Sequence, residues 1–143
     1  MYTYYIGLGS NLGDTRQHLL HAVEQINQRI GQVTALSSFY ETEPWGFCSP
    51  HRFMNAVCRI ETELQPVELL EATQQIEQSM GRKEKSTDGI YHDRIIDLDL
   101  LRCLDGEGHE VVVDDQQLQL PHPLMEQRDF VMNPLRELMK QTD

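Results

Sequence analysis

The stretch Arg94-Ile95-Ile96-Asp97-Leu98-Asp99-Leu100-Leu101 leaves the chain little freedom. Ile96, Leu98 and Leu100 alternate with Asp97 and Asp99, and alternate side chains of a strand point to opposite faces. As a strand, the segment buries its aliphatic face and presents both carboxylates together on the other. Two like charges side by side on a half-buried strand repel each other and resist desolvation. A divalent cation removes both penalties, and hard ions such as Mg²⁺ choose carboxylate oxygen. An edge strand with two solvated aspartates satisfies the same pattern. An isolated Asp-x-Asp pair favours that plainer reading, so the rest of the chain has to decide.

The other periodicities set a clear order around this strand. Tyr4 to Gly9 is a short apolar strand. Asp14 can cap a helix with Leu19, Val23, Ile26 and Ile30 on its apolar face and Gly31 as its stop. Val33 to Tyr40 reads as a second strand. Phe53 to Leu64 alternates, with Met54, Ala56, Cys58 and Ile60 on one side and Asn55, Arg59 and Glu61 on the other. Pro66 opens a second helix whose inward residues are Leu69, Leu70, Thr73, Ile76 and Met80, closed by Gly81. After the Asp97–Asp99 strand come a turn-rich Asp105-Gly106-Glu107-Gly108, a small strand at Glu110–Val113 and a terminal helix from Pro134 to Lys140. This predicts an α+β fold with a ferredoxin-like βαββαβ core: a mostly antiparallel sheet with helices packed on one face and long loops at 41–52 and 82–93. At 143 residues the whole chain, 1–143, fits one domain large enough to bury a core unaided.

Charge narrows the function classes. A net charge of −11 disfavours nucleic acid and anionic membrane as partners. Four of the twelve Lys and Arg residues nevertheless cluster just ahead of the carboxylate strand: Arg82, Lys83, Lys85 and Arg94. Cations beside a metal-binding pair suit a polyphosphate held by both, whereas a solvated charged loop would look the same in sequence. The three cysteines, Cys48, Cys58 and Cys103, form no Cys-x-x-Cys pair, which favours a reducing compartment over a disulfide framework. The N-terminal Met1-Tyr2-Thr3-Tyr4-Tyr5 has neither the basic region nor the apolar run of a signal or anchor, so a cytoplasmic protein is expected.

Three further segments carry weaker signals. Gly7 to Asp14 reads as a glycine-rich turn without the Lys-Ser/Thr of a P-loop, its glycines serving a tight turn and Asn11 and Asp14 serving local capping. Asn55 shares a strand face with Phe53, an amide beside a ring, which suits a flat heterocycle as well as an ordinary solvent-facing pair. Pro121-His122-Pro123, followed by Arg128 and Phe130, is rigid, basic and aromatic.

Together these segments resemble the 6-hydroxymethyl-7,8-dihydropterin pyrophosphokinase family along nearly the whole chain. The matching runs are Gly9-Ser-Asn-Leu-Gly-Asp14, Ser38-Phe-Tyr-Glu-Thr-Glu-Pro-Trp-Gly46, Phe53-Met-Asn-Ala56, Gln74-Gln-Ile-Glu77 with Gly81-Arg82, Asp93-Arg-Ile-Ile-Asp-Leu-Asp-Leu100, and Leu120-Pro-His-Pro123 with Arg128-Asp-Phe-Val131. The resemblance implies an enzyme that moves diphosphate from ATP to the hydroxymethyl group of 6-hydroxymethyl-7,8-dihydropterin, releasing AMP, in folate biosynthesis. It assigns Asp97 and Asp99 to two Mg²⁺ ions, and Arg82 and Arg94 to the phosphates as catalytic cations. Pterin contacts fall on Thr42, Pro44, Trp45, Phe53, Asn55 and Phe130. ATP contacts fall on Gln74, Glu77, Arg82, Tyr91, Arg94, Ile96, His122 and Arg128. A monomer binding only these two substrates is expected. Two other readings share some of these features. A two-metal nucleotidyltransferase also combines Gly-Ser with a later Asp-x-Asp, but Ser10 and Asp97 are two structural units apart. A non-catalytic pterin or nucleotide binder on the same fold is the other.

Overall fold

The structure, a computed structural model, describes residues 1–42, 52–81, 95–123 and 129–141. Its centre is β1 (Tyr2–Ser10), flanked by β4 (Phe53–Thr62) and β5 (Asp97–Leu104), both antiparallel to it. β2 (Gln32–Leu36) and β3 (Tyr40–Thr42) both pair with β4, giving the order β2-β4-β1-β5 with β3 beside β4. With α1 (Thr15–Arg29) and α2 (Pro66–Ser79) as crossovers, the order is the expected α+β βαββαβ frame with its second strand divided into β2 and β3.

Local chemistry explains the boundaries. The Asp14 carboxylate accepts from the Gln17 N–H at 3.2 Å and caps α1, satisfying one of the donors left free at a helix start. α1 stops at Ile30, but Gly31 follows for a reason other than a left-handed backbone: a Cβ there would run into the Glu61 carbonyl oxygen on β4. α2 begins with Pro66 at its first position, and the Gln65 N–H is taken by the Glu68 carboxylate at 2.9 Å. Gly81, at φ 104°, ends it in the left-handed region that glycine tolerates.

α1 and α2 cover one face of the sheet, where Tyr4, Ile6, Leu8, Ala56, Cys58, Ile60, Leu98 and Leu100 meet Leu19, Ala22, Ile26, Leu69 and Ile76. Helices on one face describes only these two. α3 (Asp129–Gln141) lies on the opposite face, with Val131, Leu135 and Leu138 against Tyr5, Val57 and Leu101. It starts five residues before the expected Pro134. Proline inside a helix costs about 3 kcal/mol, but the stripe at i, i+4 and i+7 buries three aliphatic side chains, each contributing roughly 1.5–3 kcal/mol.

Two strand expectations need correction. The run Val33–Tyr40 is two strands, because at Ser37 the hydroxyl accepts the Val57 N–H at 2.9 Å in place of a backbone carbonyl and interrupts the ladder. The strand expected at Glu110–Val113 is a single bridge from Glu110 to Leu104. Beyond Val111, whose N–H reaches the Cys103 carbonyl, the chain leaves β5 and β6 (Val113–Asp114) pairs instead with β7 (Gln119–Leu120). Cys58 and Cys103 are free and buried, and burial pushes their thiols up to about 12 and about 11.

Candidate active site

The α3-side face of the sheet changes character along β1. Near Tyr5 it is core; at Gly7 and Gly9 it has no side chains. Gly7 and Gly9 therefore lie in the central strand, and of the glycines read as a turn only Gly13, at φ 68°, serves one. Gly7 makes room for Leu101, whose methyl would stand 3.5 Å from a Cβ at that position. Leu101 is the extra residue of a bulge in β5, between the pairs Tyr5–Arg102 and Ile6–Leu100.

Gly9 is the floor of a trough. On one side it pairs with Asp97, on the other with Asn55, and Gly7 pairs with Asp99. Strand spacing puts the backbones of Asp97 and Asn55 roughly 10 Å apart across that floor. A Cβ on Gly9 would lie 3.2 Å from Asn55 Oδ1 and 3.7 Å from the Phe53 ring. Asn55, 5% exposed, has its orientation set by β3: Nδ2 donates to Thr42 Oγ1 at 2.8 Å, which turns the carbonyl oxygen toward the trough. An acceptor with an aromatic ring beside it suits a planar, donor-edged heterocycle. Sequence reading missed Gly9. The signal was its position two residues from Gly7, both on one face of a strand.

The opposite bank is the carboxylate pair. Asp97 and Asp99 are half-buried on the trough face, while Leu98 and Leu100 enter the core, as the alternation predicted. Asp99 also lines a cavity of about 280 Å³ between β5, α2 and the 116–123 segment, together with Leu70, Gln74, Leu118 and His122. That is near the lower end of ligand clefts, roughly 300–1,000 Å³. His122 is held there through its backbone, its N–H donating to the Leu101 carbonyl at 2.9 Å.

Two residues expected at the nucleotide make contacts within the protein. Glu77 is 2% exposed and its Oε2 accepts the Leu98 N–H at 2.8 Å, so it secures the strand between the two aspartates from behind. Ile96 is fully buried in the core. Phe130 lies in the first turn of α3, and its side chain is outside the description. Pro44, Trp45, Arg82, Lys83, Lys85, Tyr91, Arg94 and Arg128 lie outside the described residues, as does most of the two long loops.

The donor set fits Mg²⁺. Two carboxylates on one face supply hard oxygen, and Mg²⁺ is commonly held by one or two carboxylates, with substrate phosphates and water completing its shell. Among the described residues no group of three or more His, Cys, Asp or Glu side chains could hold a metal without such help. Among them, too, no helix is long and apolar enough to cross a membrane.

Comparison with known proteins agrees with this geometry. The profile of the family described as 7,8-dihydro-6-hydroxymethylpterin-pyrophosphokinase matches residues 5–140. A Porphyromonas gingivalis protein named 2-amino-4-hydroxy-6-hydroxymethyldihydropteridine pyrophosphokinase is 50% identical over 136 residues, covering 94% of this chain and 88% of its own. The Bacillus subtilis protein of the same name is 41% identical over 140 residues, covering 97% of this chain and 79% of its own. A crystal structure of HPPK-DHPS in complex with substrates superposes with a TM-score of 0.70 at 13% identity. It spans 96% of this chain but only 40% of that one, and at such identity it shows the fold alone. The profile match and the two identities show that this chain belongs to the 7,8-dihydro-6-hydroxymethylpterin-pyrophosphokinase family.

Proposed function

We propose that the trough and the cavity are the two substrate sites for diphosphate transfer from ATP to the hydroxymethyl group of 6-hydroxymethyl-7,8-dihydropterin, the step that family membership assigns to folate biosynthesis. The observation that carries the arrangement is the double position of Asp99, which belongs to the trough face and also lines the cavity beside Gln74 and His122. Two substrates bound on either side of Asp99 would meet there.

In this reading Asn55 and Thr42 bind the amino-pyrimidine edge of the pterin, Phe53 and Phe130 stack on its faces, and Pro44 and Trp45 close it in. Gln74, His122 and Arg128 hold the nucleotide, with Ile96 and Tyr91 beside it, while Glu77 supports the strand. The pterin hydroxyl oxygen bonds to the β-phosphorus, the bond from that phosphorus to the α-β bridging oxygen breaks, and AMP leaves with that oxygen. The hydroxyl proton goes to solvent. Asp97 and Asp99 would hold two Mg²⁺ ions, whose chemistry is to neutralise phosphate charge and align the reacting oxygens. Arg82 and Arg94 add fixed positive charge to the same phosphates. Positioning and charge neutralisation supply most of the acceleration in such transfers. The 1–143 domain would act as a cytoplasmic monomer, since trough and cavity come from one chain and its buried thiols suit a reducing compartment.

An assay of AMP release tests the reading. Release that requires both Mg²⁺ and 6-hydroxymethyl-7,8-dihydropterin is the expected result. ATP hydrolysis indifferent to the pterin, or no release at all, overturns it.

A further inference from the structure

Glu137 lies in the body of α3, outside the trough, yet it reaches across to the segment that carries Thr42. Its Oε2 accepts the Ser38 N–H at 2.8 Å and the Ser38 hydroxyl at 3.2 Å, and its Oε1 accepts the Tyr40 hydroxyl at 2.6 Å. The last distance is that of a charge-assisted O–H···O⁻ bond. The Tyr40 hydroxyl, more than any other group, holds the Glu137 carboxyl below its ordinary range, and the same bond pushes the Tyr40 phenol up.

Tyr40 stands directly opposite Asn55 in the ladder between β3 and β4, and Thr42 stands opposite Phe53. β3 has three residues, so its own ladder fixes it weakly; among the described residues it pairs with β4 alone. The orientation of the Asn55 amide depends on that short strand through Thr42 Oγ1. Phe39 anchors the same segment toward the core, with the Arg16 guanidinium 4.9 Å over its ring. Glu137 supplies the anchor on the other side. It also ties this segment to the helix whose first turn carries Phe130, two turns or about 10 Å along the axis.

We propose that Glu137 is a positioning residue for the pterin. Through Ser38 and Tyr40 it fixes β3, and β3 through Thr42 fixes which way the Asn55 amide faces. The inference rests on Asn55 binding the pterin, and goes beyond it by naming what aims the amide. A carboxylate that merely held α3 to the sheet would have no reason to discriminate between the two substrates.

The experiment is calorimetric titration of 6-hydroxymethylpterin into protein saturated with Mg²⁺ and an ATP analogue bearing a methylene between its α- and β-phosphates. A separate titration of the analogue and a thermal melt accompany it. Tyr40→Phe removes one oxygen and should weaken pterin binding about tenfold, because a short charged hydrogen bond is lost. Analogue affinity should stay within about twofold. Glu137→Ala should do the same or more, and Glu137→Gln, whose carbonyl oxygen can still accept from Ser38 while its NH2 donates to the Tyr40 hydroxyl oxygen, should recover part of the loss. In an Asn55→Ala background, Tyr40→Phe should add less than about twofold, since groups acting through one another are not additive. Equal weakening of pterin and analogue, or a lower melting temperature with unchanged pterin affinity, overturns the proposal. If Asn55→Ala weakens the pterin and Tyr40→Phe does not, the positioning role alone falls. If Asn55→Ala leaves pterin affinity unchanged, the reading of the trough falls with it.

Discussion

The long strands of the sheet present two unlike faces. Under α1 and α2, every inward position from Tyr4 to Leu8 on β1 and from Ala56 to Ile60 on β4 is 2% exposed or less. On the reverse, α3 closes only the end at Tyr5, Val57 and Leu101, and the other end has Gly9, Asn55, Asp97 and Asp99 where aliphatic residues would complete a second core. β1 passes from core at Tyr5 to the proposed site at Gly9 within four residues. The division therefore runs along each strand. A site built this way borrows its rigidity from neighbours buried on the other face, which is what holding two substrates in register requires.

Substitutions should separate the two faces. The largest effect belongs to the site face: Asp97→Ala or Asp99→Ala should lower kcat about a thousandfold or more, several kcal/mol of transition-state stabilisation, without lowering the melting temperature. AMP-release kinetics and thermal melts read both, and turnover within tenfold of the parent would show that the pair is not the metal clamp. On the helix face, Ile60→Ala should cost about 2–5 kcal/mol of stability while leaving both KM values unchanged under folding conditions. Denaturant unfolding measures the first; a large rise in pterin KM with little loss of stability would break the proposed separation. Smallest is Gly9→Ala at the boundary. Its Cβ, 3.2 Å from Asn55 Oδ1, forces a shift of a few tenths of an ångström and should raise pterin KM about fivefold, roughly 1 kcal/mol, with the ATP KM unchanged. An unaltered pterin KM would mean the heterocycle does not lie on that floor.

What could be read in the sequence follows the same division. The alternation at Phe53–Thr62 and Asp97–Leu104, and the 3.6-residue spacing in α1 and α2, reflect burial on the helix face, and the structure has those elements within two residues at most ends. Asp97 and Asp99 were visible because polar residues interrupt an aliphatic run at period two. The misses share another cause, namely that side chains do work that pattern assigns to backbone. The Ser37 hydroxyl replaces a ladder carbonyl and splits one strand in two, and Pro134 looks like a helix start until three buried aliphatics outweigh it. Glu77 and Glu137 look like surface charges on helices, yet one receives the Leu98 N–H and the other receives Ser38 and Tyr40. Their partners lie 21 to 99 residues away, beyond any local periodicity.

The Glu77 contact has a consequence for how β5 behaves among other molecules. Among the described residues β5 is the outermost strand on its side of the sheet, and a bare outer strand is a template on which a second chain can add itself. Here the outward Leu98 N–H goes to Glu77, and the Leu101 and Cys103 carbonyls go to the His122 and Val111 N–H groups. These three groups are taken by a carboxylate and two irregular backbone segments, none of which propagates a sheet. Asp97 and Asp99 thus sit on an outer strand whose edge is partly occupied, which makes that strand a poorer template for a second chain.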